Sequence, residues 1–294
     1  MDAGSFASTS ALRYNSRPVR SLATATFTAA AAAAAVALPS GAAAYAPNPC
    51  LDPVERRTLN CPDLVMKRPF GLTLDNTARP GRVVLRAGNS IDNVGRGPAE
   101  LHGVRTAQYF MKGRQRIYRR AGGRLGITTG ARLFFKFVQG QLRYWKYHRA
   151  AAFQLWRIDS DGRRTVLVRR GPKISYCLRD LEHSRARLAR SPRTRVYPAC
   201  STYRNQRRVT IGTSVGWSDV YPPGYPEQWI DVTGLRGCFA YRHVADPRNG
   251  IYESNERNNS ATTVVRLPFR AGRQTCPGGR VEGPERAPRD PYGP

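Results

Sequence analysis

A β-hairpin pattern occupies Ala152-Phe-Gln-Leu-Trp-Arg-Ile158, Asp159-Ser-Asp-Gly162 and Thr165-Val-Leu-Val168. Aromatic and β-branched residues fill two runs of strand length, and the turn between them contains glycine. Leu133-Phe-Phe-Lys-Phe-Val138 has a similar composition. Many short strands separated by turn residues predict an all-β protein with a β-sandwich fold, long loops and disulfides. Further strands are predicted over 82–86, 207–211, 228–232, 238–244 and 261–267, and one short helix is predicted over 180–189.

The first 44 residues have the features of a signal peptide. Arg13, Arg17 and Arg20 form a basic region, an alanine-rich run covers 29–38, and 42–44 supplies an alanine cleavage motif. The apolar run is shorter than the about 20 residues that cross a bilayer. We therefore expect a secreted, extracellular protein without a transmembrane segment, either free or associated with the cell wall. A disordered alanine-rich leader is the alternative.

Three parts are predicted for the rest of the chain. Residues 45–61 form an N-terminal extension, and residues 62–269 form one β-rich domain. The segment 270–294 contains five Gly and five Pro without an apolar period, so it is predicted to be a disordered tail.

Six cysteines follow the predicted cleavage site, and an even number in an exported chain predicts three disulfides. The sequence alone leaves the pairing open. We favour pairs of sequence neighbours: Cys50 with Cys61, Cys177 with Cys200, and Cys238 with Cys276. The C-x-x-C spacing is missing from the sequence, which argues against thiol redox chemistry and zinc binding.

The formal net charge is +28, and its distribution is uneven. Residues 104–208 contain 27 Lys plus Arg against four acidic residues, whereas residues 210–256 contain three Arg against six acidic residues. Such a field attracts polyanions and repels cations. Anionic cell-envelope polymers are therefore candidate partners, while a nucleic-acid-binding motif that would indicate specific nucleic-acid recognition is missing. A solvated arginine-rich surface without a partner is the alternative.

Three motifs lie downstream of the hairpin: Gly171-Pro-Lys173-Ile-Ser-Tyr-Cys177-Leu-Arg-Asp180, Gly216-Trp-Ser-Asp-Val-Tyr221 and Gln228-Trp-Ile-Asp231-Val-Thr-Gly234. Together they resemble the catalytic domain of the lysyl oxidase family, and the resemblance extends over about Pro62 to Phe269. It implies that Lys173 and Tyr221 are the precursors of lysine tyrosylquinone, a cofactor built with copper and dioxygen. The implied reaction oxidises primary amines, either lysyl side chains or small amines, to aldehydes, with release of ammonia and hydrogen peroxide.

Lys173 also stands out without the resemblance, because it is one of five lysines in a chain with 43 arginines. Only lysine supplies an amine that can lose its proton, since arginine stays charged. A surface lysine and a packing tyrosine are the alternatives for the pair. Asp219 and Asp180 are candidates for the catalytic base.

The copper ligands are where the sequence departs from the resemblance. The family's three alternating histidines align with Tyr144, Lys146 and His148. On a strand these residues share one face, which suits facial coordination of copper by imidazole. Only His148 keeps the family's ligand type, and Tyr144 is a candidate phenolate ligand. His102, His183 and His243 lack ligand spacing to His148, although they could converge on it in the fold.

A second metal site is implied near the end of the domain. The resemblance suggests calcium ligands at Glu253, Asn255, Asn258 and Asn259, together with the pair Asp63-Leu64. Carboxylate, amide and carbonyl oxygens are the ligands that calcium prefers. An Asn-rich turn without metal is the alternative.

Three functions therefore compete. The first is a copper- and quinone-dependent amine oxidase with a rearranged metal site. The second is a catalytically inactive relative that binds anionic envelope polymers. The third is a secreted β-sandwich with a purely structural role.

Overall fold

The computed structural model describes residues 45–269, 275–277 and 279–280. The predicted signal peptide and most of the predicted tail lie outside the described residues. One 3-10 turn, Glu55–Arg57, precedes the strands. In chain order, the strands are β1 Leu59–Asn60, β2 Leu64–Met66, β3 Phe70–Asp75, β4 Val84–Asn93, β5 Ala99–Ala107, β6 Phe110–Arg119, β7 Arg124–Phe137, β8 Arg143–His148, β9 Ala151–Ile158, β10 Arg164–Arg170, β11 Ser175–Tyr176, β12 Arg208–Thr213, β13 Ser218–Tyr221, β14 Trp229–Asp231, β15 Gly237–Ala245, β16 Ser260–Leu267, β17 Thr275–Cys276 and β18 Gly279–Arg280.

The prediction of an all-β sandwich is confirmed, because antiparallel sheets pack around one shared core. The largest sheet has the order β11-β8-β7-β6-β5-β12, with β1 added beside β6. A second sheet has the order β10-β9-β15-β16. The predicted hairpin is its β9–β10 pair, and Gly162 adopts a left-handed φ of 78° at the turn.

β4 is the central strand of the third sheet, and almost all of its residues are buried. Its first half pairs with β3 and β14, and its second half pairs with β2 and β13. Two different sets of strands are therefore held at fixed register by one strand. This arrangement places Tyr221, at the end of β13, opposite Asn89 in the middle of the molecule.

All three favoured disulfides are confirmed, each with a Cα–Cα distance of 5.8 Å. The last of them ties Cys276 to β15. Part of the predicted disordered tail is therefore ordered, because Thr275–Cys276 and Gly279–Arg280 form a two-stranded ribbon at this anchor.

The predicted helix over 180–189 is wrong. The segment forms turns and one isolated bridge, Glu182 to Ser218. The Asp180 carboxylate accepts hydrogen bonds from the backbone N–H groups of Val196, Tyr197 and Ser214, so it fastens three chain segments instead of capping a helix. Within the described part of the chain, no helix is long and apolar enough to cross a membrane.

Candidate active site

The loop between β10 and β11 carries Lys173 into the interior. Gly171 permits this path, since a Cβ at that position would lie 2.8 Å from the carbonyl oxygen of Trp229 and 3.0 Å from the Phe153 Cβ. The Gly171 N–H donates to the Phe153 carbonyl (3.0 Å), which fixes the loop to β9. Lys173 is consequently fully buried.

The side chain of Lys173 ends among aromatic rings. Its Nζ lies 4.2 Å from the ring centroid of Tyr221, 4.2 Å from that of Tyr225 and 5.0 Å from that of Tyr176. The Tyr221 ring packs edge-on against Tyr176 and Tyr225 at 4.8 and 4.7 Å. The two residues singled out by the sequence are therefore brought into direct contact.

Neither member of the pair is hydrogen-bonded. Within the described chain, the Nζ of Lys173 and the hydroxyl of Tyr221 both lack a hydrogen-bond partner. Burial holds the pKa of Lys173 well below its usual value, and the nearby charge of Lys146 lowers it further. Burial likewise raises the pKa of Tyr221 well above its usual value. Burial therefore favours the uncharged form of both side chains.

Asp219 lies two residues before Tyr221 on β13, so both side chains point to the same face of the strand. Its carboxylate is fully buried, and neither oxygen has a hydrogen-bond partner among the described residues. Burial raises the pKa of Asp219 to about 8, against the opposing charges of Arg179 and Lys146. A carboxyl group with such a pKa suits proton transfer near neutral pH.

Asp180, the other candidate base, has a different environment. Besides three backbone N–H groups, its carboxylate accepts the hydroxyl proton of Ser214 at 2.8 Å. Both oxygens are thereby committed to holding loops in place. This carboxylate is a structural anchor.

The face of β8 that should hold copper carries Tyr144, Lys146 and His148. The Tyr144 hydroxyl is bonded to that of Tyr225 (2.6 Å), and Lys146 Nζ reaches the Tyr144 hydroxyl at 3.5 Å. Lys146 is 1% exposed, and burial lowers its pKa to about 8. A buried group that is still mostly cationic at neutral pH therefore stands where a metal cation is required.

His148 does not compensate for the missing ligands. Its ring packs edge-on against Phe134 at 5.9 Å and Phe110 at 6.3 Å. The described residues contain no group of three or more His, Cys, Asp or Glu side chains that could hold a metal ion. One imidazole, one hydrogen-bonded phenol and one lysine do not form a donor set for copper.

The remaining histidines have other environments. His102 pairs with Glu100 on the large sheet, and His183 stacks on Trp217 at 4.3 Å. His243 is fully buried and stacks on Phe153 at 3.9 Å. Each has its own packing or polar partners, and none of these contacts involves His148.

The predicted calcium residues mostly converge. The Glu253 carboxylate accepts the backbone N–H of Leu64 and the Asn259 side-chain N–H, the latter at 2.8 Å. Asn258 donates to Asp63 at 2.7 Å. Asn255 is the exception, because its side-chain oxygen accepts the Arg257 N–H within a local turn.

We call Asp63, Glu253, Glu256, Asn258 and Asn259 the oxygen cluster. Several of its buried oxygens lack a hydrogen-bond partner in the part of the chain that the structure describes. Among the described residues, Glu256 Oε2, Asn258 Oδ1 and Asn259 Oδ1 are buried without a hydrogen-bond partner. Burial raises the pKa of Glu253 well above its usual value and that of Glu256 to about 7. Buried carboxylates and orphaned amide oxygens are ligand types that calcium prefers. The carboxylates of this cluster do not by themselves form a group of three that could hold an ion, so the amide oxygens would have to complete the ligand set.

Three residues of these sites were not predicted from the sequence. Tyr225 meets Lys173 because the Pro222–Tyr225 turn folds back, with the Tyr225 N–H donating to the Pro222 carbonyl at 3.1 Å. Tyr176 lies three residues after Lys173, where its aromatic character is a usable signal. Asn48 donates to Glu256 at 2.9 Å from 208 residues away, so its role depends on the fold alone.

The site is therefore a buried lysine packed against a tyrosine ring inside a disulfide-linked β-sandwich. The lysyl oxidase family model matches residues 136–273, so this segment of the chain is similar to the lysyl oxidase family. Both Lys173 and Tyr221 lie within the match, whereas Asp63 and Leu64 lie before it. A search of the curated proteins gives no match.

Proposed function

We propose that this lysyl oxidase family member lacks copper-dependent amine oxidation and acts outside the cell as a binding domain for anionic envelope polymers. The first half of the proposal is supported by Lys146, which occupies a predicted copper-ligand position as a buried amine whose pKa is about 8. The second half of the proposal, binding of anionic polymers, is supported by an exposed face of the large sheet.

That face has a row of exposed side chains across four strands. Arg208 is the register partner of Val104, Val104 of Lys112, and Lys112 of Arg132. Arg114 follows in the next row, opposite His102. Among the described residues, no acidic side chain forms an ion pair with Arg208, Lys112 or Arg132. We call Lys112, Arg114, Arg132 and Arg208 the basic row.

Like charges that face each other across strands repel, and Lys112 opposes Arg132 directly. A chain of phosphate or carboxylate groups that lies across the strands relieves this repulsion and releases its own counterions. The unneutralised basic row is therefore the observation that favours a polyanionic partner.

The test is binding of the exported chain to polyglycerol phosphate and to polygalacturonate over a range of salt concentrations. Affinity is expected to fall steeply as salt rises. Arg114→Gln combined with Arg208→Gln should weaken binding more than Arg187→Gln combined with Arg193→Gln, which removes equal charge from an exposed loop. Equal losses, or a flat salt dependence, refute the proposal.

Oxidation of primary amines is the second candidate function, and the contact between Lys173 Nζ and the Tyr221 ring favours it. The positive field repels polycationic proteins, so a small primary amine is the better substrate. Chain incubated with copper and oxygen is examined by quinone staining, by its visible spectrum and by mass spectrometry for a Lys173–Tyr221 cross-link. A cross-link would support this function, and an unmodified pair would refute it.

We also propose that the oxygen cluster binds calcium. Glu253, Asn258, Asn259 and Asp63 would hold the ion, with Glu256 as a further carboxylate. An ion there would connect the start of the domain to the segment before β16, and so would act as a structural staple.

A further inference from the structure

A cavity of about 500 Å³ opens beside the end of β8, outside the lysine–tyrosine site. Its walls include three exposed arginines, Arg132, Arg149 and Arg248, and among its rings are those of Tyr45, Phe110 and His148. We call it the arginine cavity. The lysine–tyrosine pair and the oxygen cluster do not contribute to its walls.

The arginines of this cavity are not neutralised. Within the described chain, none of the ion pairs includes Arg132, Arg149 or Arg248. Asp246 lies behind the cavity, but its carboxylate accepts the Tyr147 hydroxyl (2.5 Å) and the Gly250 N–H (3.0 Å). The charges of Arg149, Arg248 and Arg132, after burial, lower the pKa of His148, which indicates that all three lie near this ring.

The backbone around the cavity is held in an unusual conformation. Arg149 and Asn249, which both line the cavity, have φ values of 62° and 48° in the left-handed region. Residues other than glycine adopt this region at some cost, and such residues cluster at ligand sites. Gly250 closes the floor, since a Cβ there would lie 2.5 Å from the Tyr147 hydroxyl and 3.2 Å from the Ala131 nitrogen.

The shape and chemistry of the cavity define its ligand class. Planar guanidinium groups bind carboxylate and phosphate through paired N–H groups. A volume of about 500 Å³ exceeds that of an inorganic anion and falls in the range of small-molecule sites. The rings of Tyr45, Phe110 and His148 supply flat surfaces for the uncharged part of the ligand.

We propose that the arginine cavity binds a sugar-sized organic anion, through a phosphate or carboxylate group held by Arg149 and Arg248. The basic row contacts a polymer along its length, whereas this cavity, which shares Arg132 with that row, accepts one unit. Monosaccharide derivatives are therefore suitable probes, because they do not span the basic row.

The test is calorimetric titration of the full chain with glucose 6-phosphate, glucuronate and glucose. Binding of one or both anions, without binding of glucose, is expected, and the stronger anion identifies the preferred group. Arg149→Gln combined with Arg248→Gln should weaken that binding at least tenfold, whereas Arg187→Gln combined with Arg193→Gln should leave it unchanged. Equal affinity in both double variants, or equal binding of glucose, overturns the proposal.

A second measurement uses the unaltered chain. Phenylglyoxal modifies accessible arginines, and the bound anion should protect Arg149 and Arg248 while Arg187 still reacts, as read by mass spectrometry. Uniform labelling with and without the anion would overturn the assignment. Polymer binding is tested with substitutions at Arg114 and Arg208, whereas the cavity is tested with substitutions at Arg149 and Arg248. The two proposals can therefore fail independently.

Discussion

The Nζ of Lys173 lies 4.2 Å from the ring centroid of Tyr221 and equally far from that of Tyr225. This nitrogen is completely buried, and among the described residues it has no hydrogen-bond partner. Such an amine is costly in a packed interior, and its retention beside Tyr221 preserves the geometry of a cofactor precursor. The predicted copper-ligand positions on β8 hold Tyr144 and Lys146 beside His148, so the lysine–tyrosine contact is present without a set of three histidines.

Restoring histidine at the two altered ligand positions should restore copper binding. The double variant Tyr144→His and Lys146→His removes the buried charge and supplies two imidazoles on the face that carries His148. Electron paramagnetic resonance should detect one bound copper(II) per chain, and mass spectrometry should detect the Lys173–Tyr221 cross-link after exposure to oxygen.

The control for this experiment is Lys146→Met, which removes the charge without adding a ligand. It should bind no copper and form no cross-link. If the unaltered chain already forms the cross-link, the replacement of the histidines has not abolished maturation, and the inactive assignment is wrong.

Lys173→Met should stabilise the fold. Methionine has a similar length and carries no amine that must lose water and its proton. The free energy of unfolding at pH 7 should rise by about 1–3 kcal/mol in urea denaturation. Lys112→Met, on the exposed face, should change it by less than about 0.5 kcal/mol. Destabilisation by Lys173→Met would mean that the amine takes part in a stabilising contact or bond.

Calcium should raise the thermal unfolding temperature of the chain. At a free concentration about 100 times the dissociation constant, one site adds about 2.7 kcal/mol of stability. Glu253→Gln should abolish the increase, because it removes a buried carboxylate of the oxygen cluster. Asp161→Asn, which removes an exposed carboxylate, should retain the increase. Equal calcium responses of the two variants would refute the site.

His243 should make the fold sensitive to acid. Its ring is fully buried, both ring nitrogens lack hydrogen-bond partners among the described residues, and burial lowers its pKa from 6.5 to about 3. The unfolded chain therefore binds a proton below pH 6.5 that the folded chain excludes. Stability from this group is complete above pH 6.5 and is lost as the pH falls towards 3.

His243→Phe tests this prediction, because phenylalanine keeps the stacking on Phe153 without a titrating group. Between pH 7 and pH 5, the unaltered chain should lose about 2 kcal/mol more stability than the variant. Urea denaturation at both pH values gives the difference. Tyr241→Phe, at a neighbouring buried ring, should keep the original pH dependence, and parallel curves for His243→Phe and the unaltered chain would contradict the prediction.

Much of the fold was predictable, because alternation and β-branched content identify strands wherever one face is buried. The β9–β10 hairpin, β15 and β16 were found in this way. β7 extends from Arg124 to Phe137, but only its end was predicted, since its first half contains Gly126 and Gly130 and few large apolar residues. Its pairing with β6 overrides these weak local preferences.

The wrong helix prediction over 180–189 and the unpredicted site residues have a common cause, namely contacts between residues far apart in the sequence. Asp180 was assigned by local pattern, but its role follows from partners 16 to 34 residues away. Lys173 and Tyr221 were found because each stands in a sequence motif. Tyr225 and Asn48 lie outside recognisable motifs. The Pro222–Tyr225 turn brings Tyr225 to Lys173, and the tertiary fold brings Asn48 to Glu256.

Lys146 has a consequence for how the protein matures. A metal ion must be acquired from outside after or during folding, so its delivery can fail and can differ between compartments. A cation carried on a side chain is present in every copy as soon as the chain folds. Under the proposed function, the interior around Tyr144 and Tyr225 assembles without copper, and we predict that a shortage of the metal leaves the abundance of the protein unchanged.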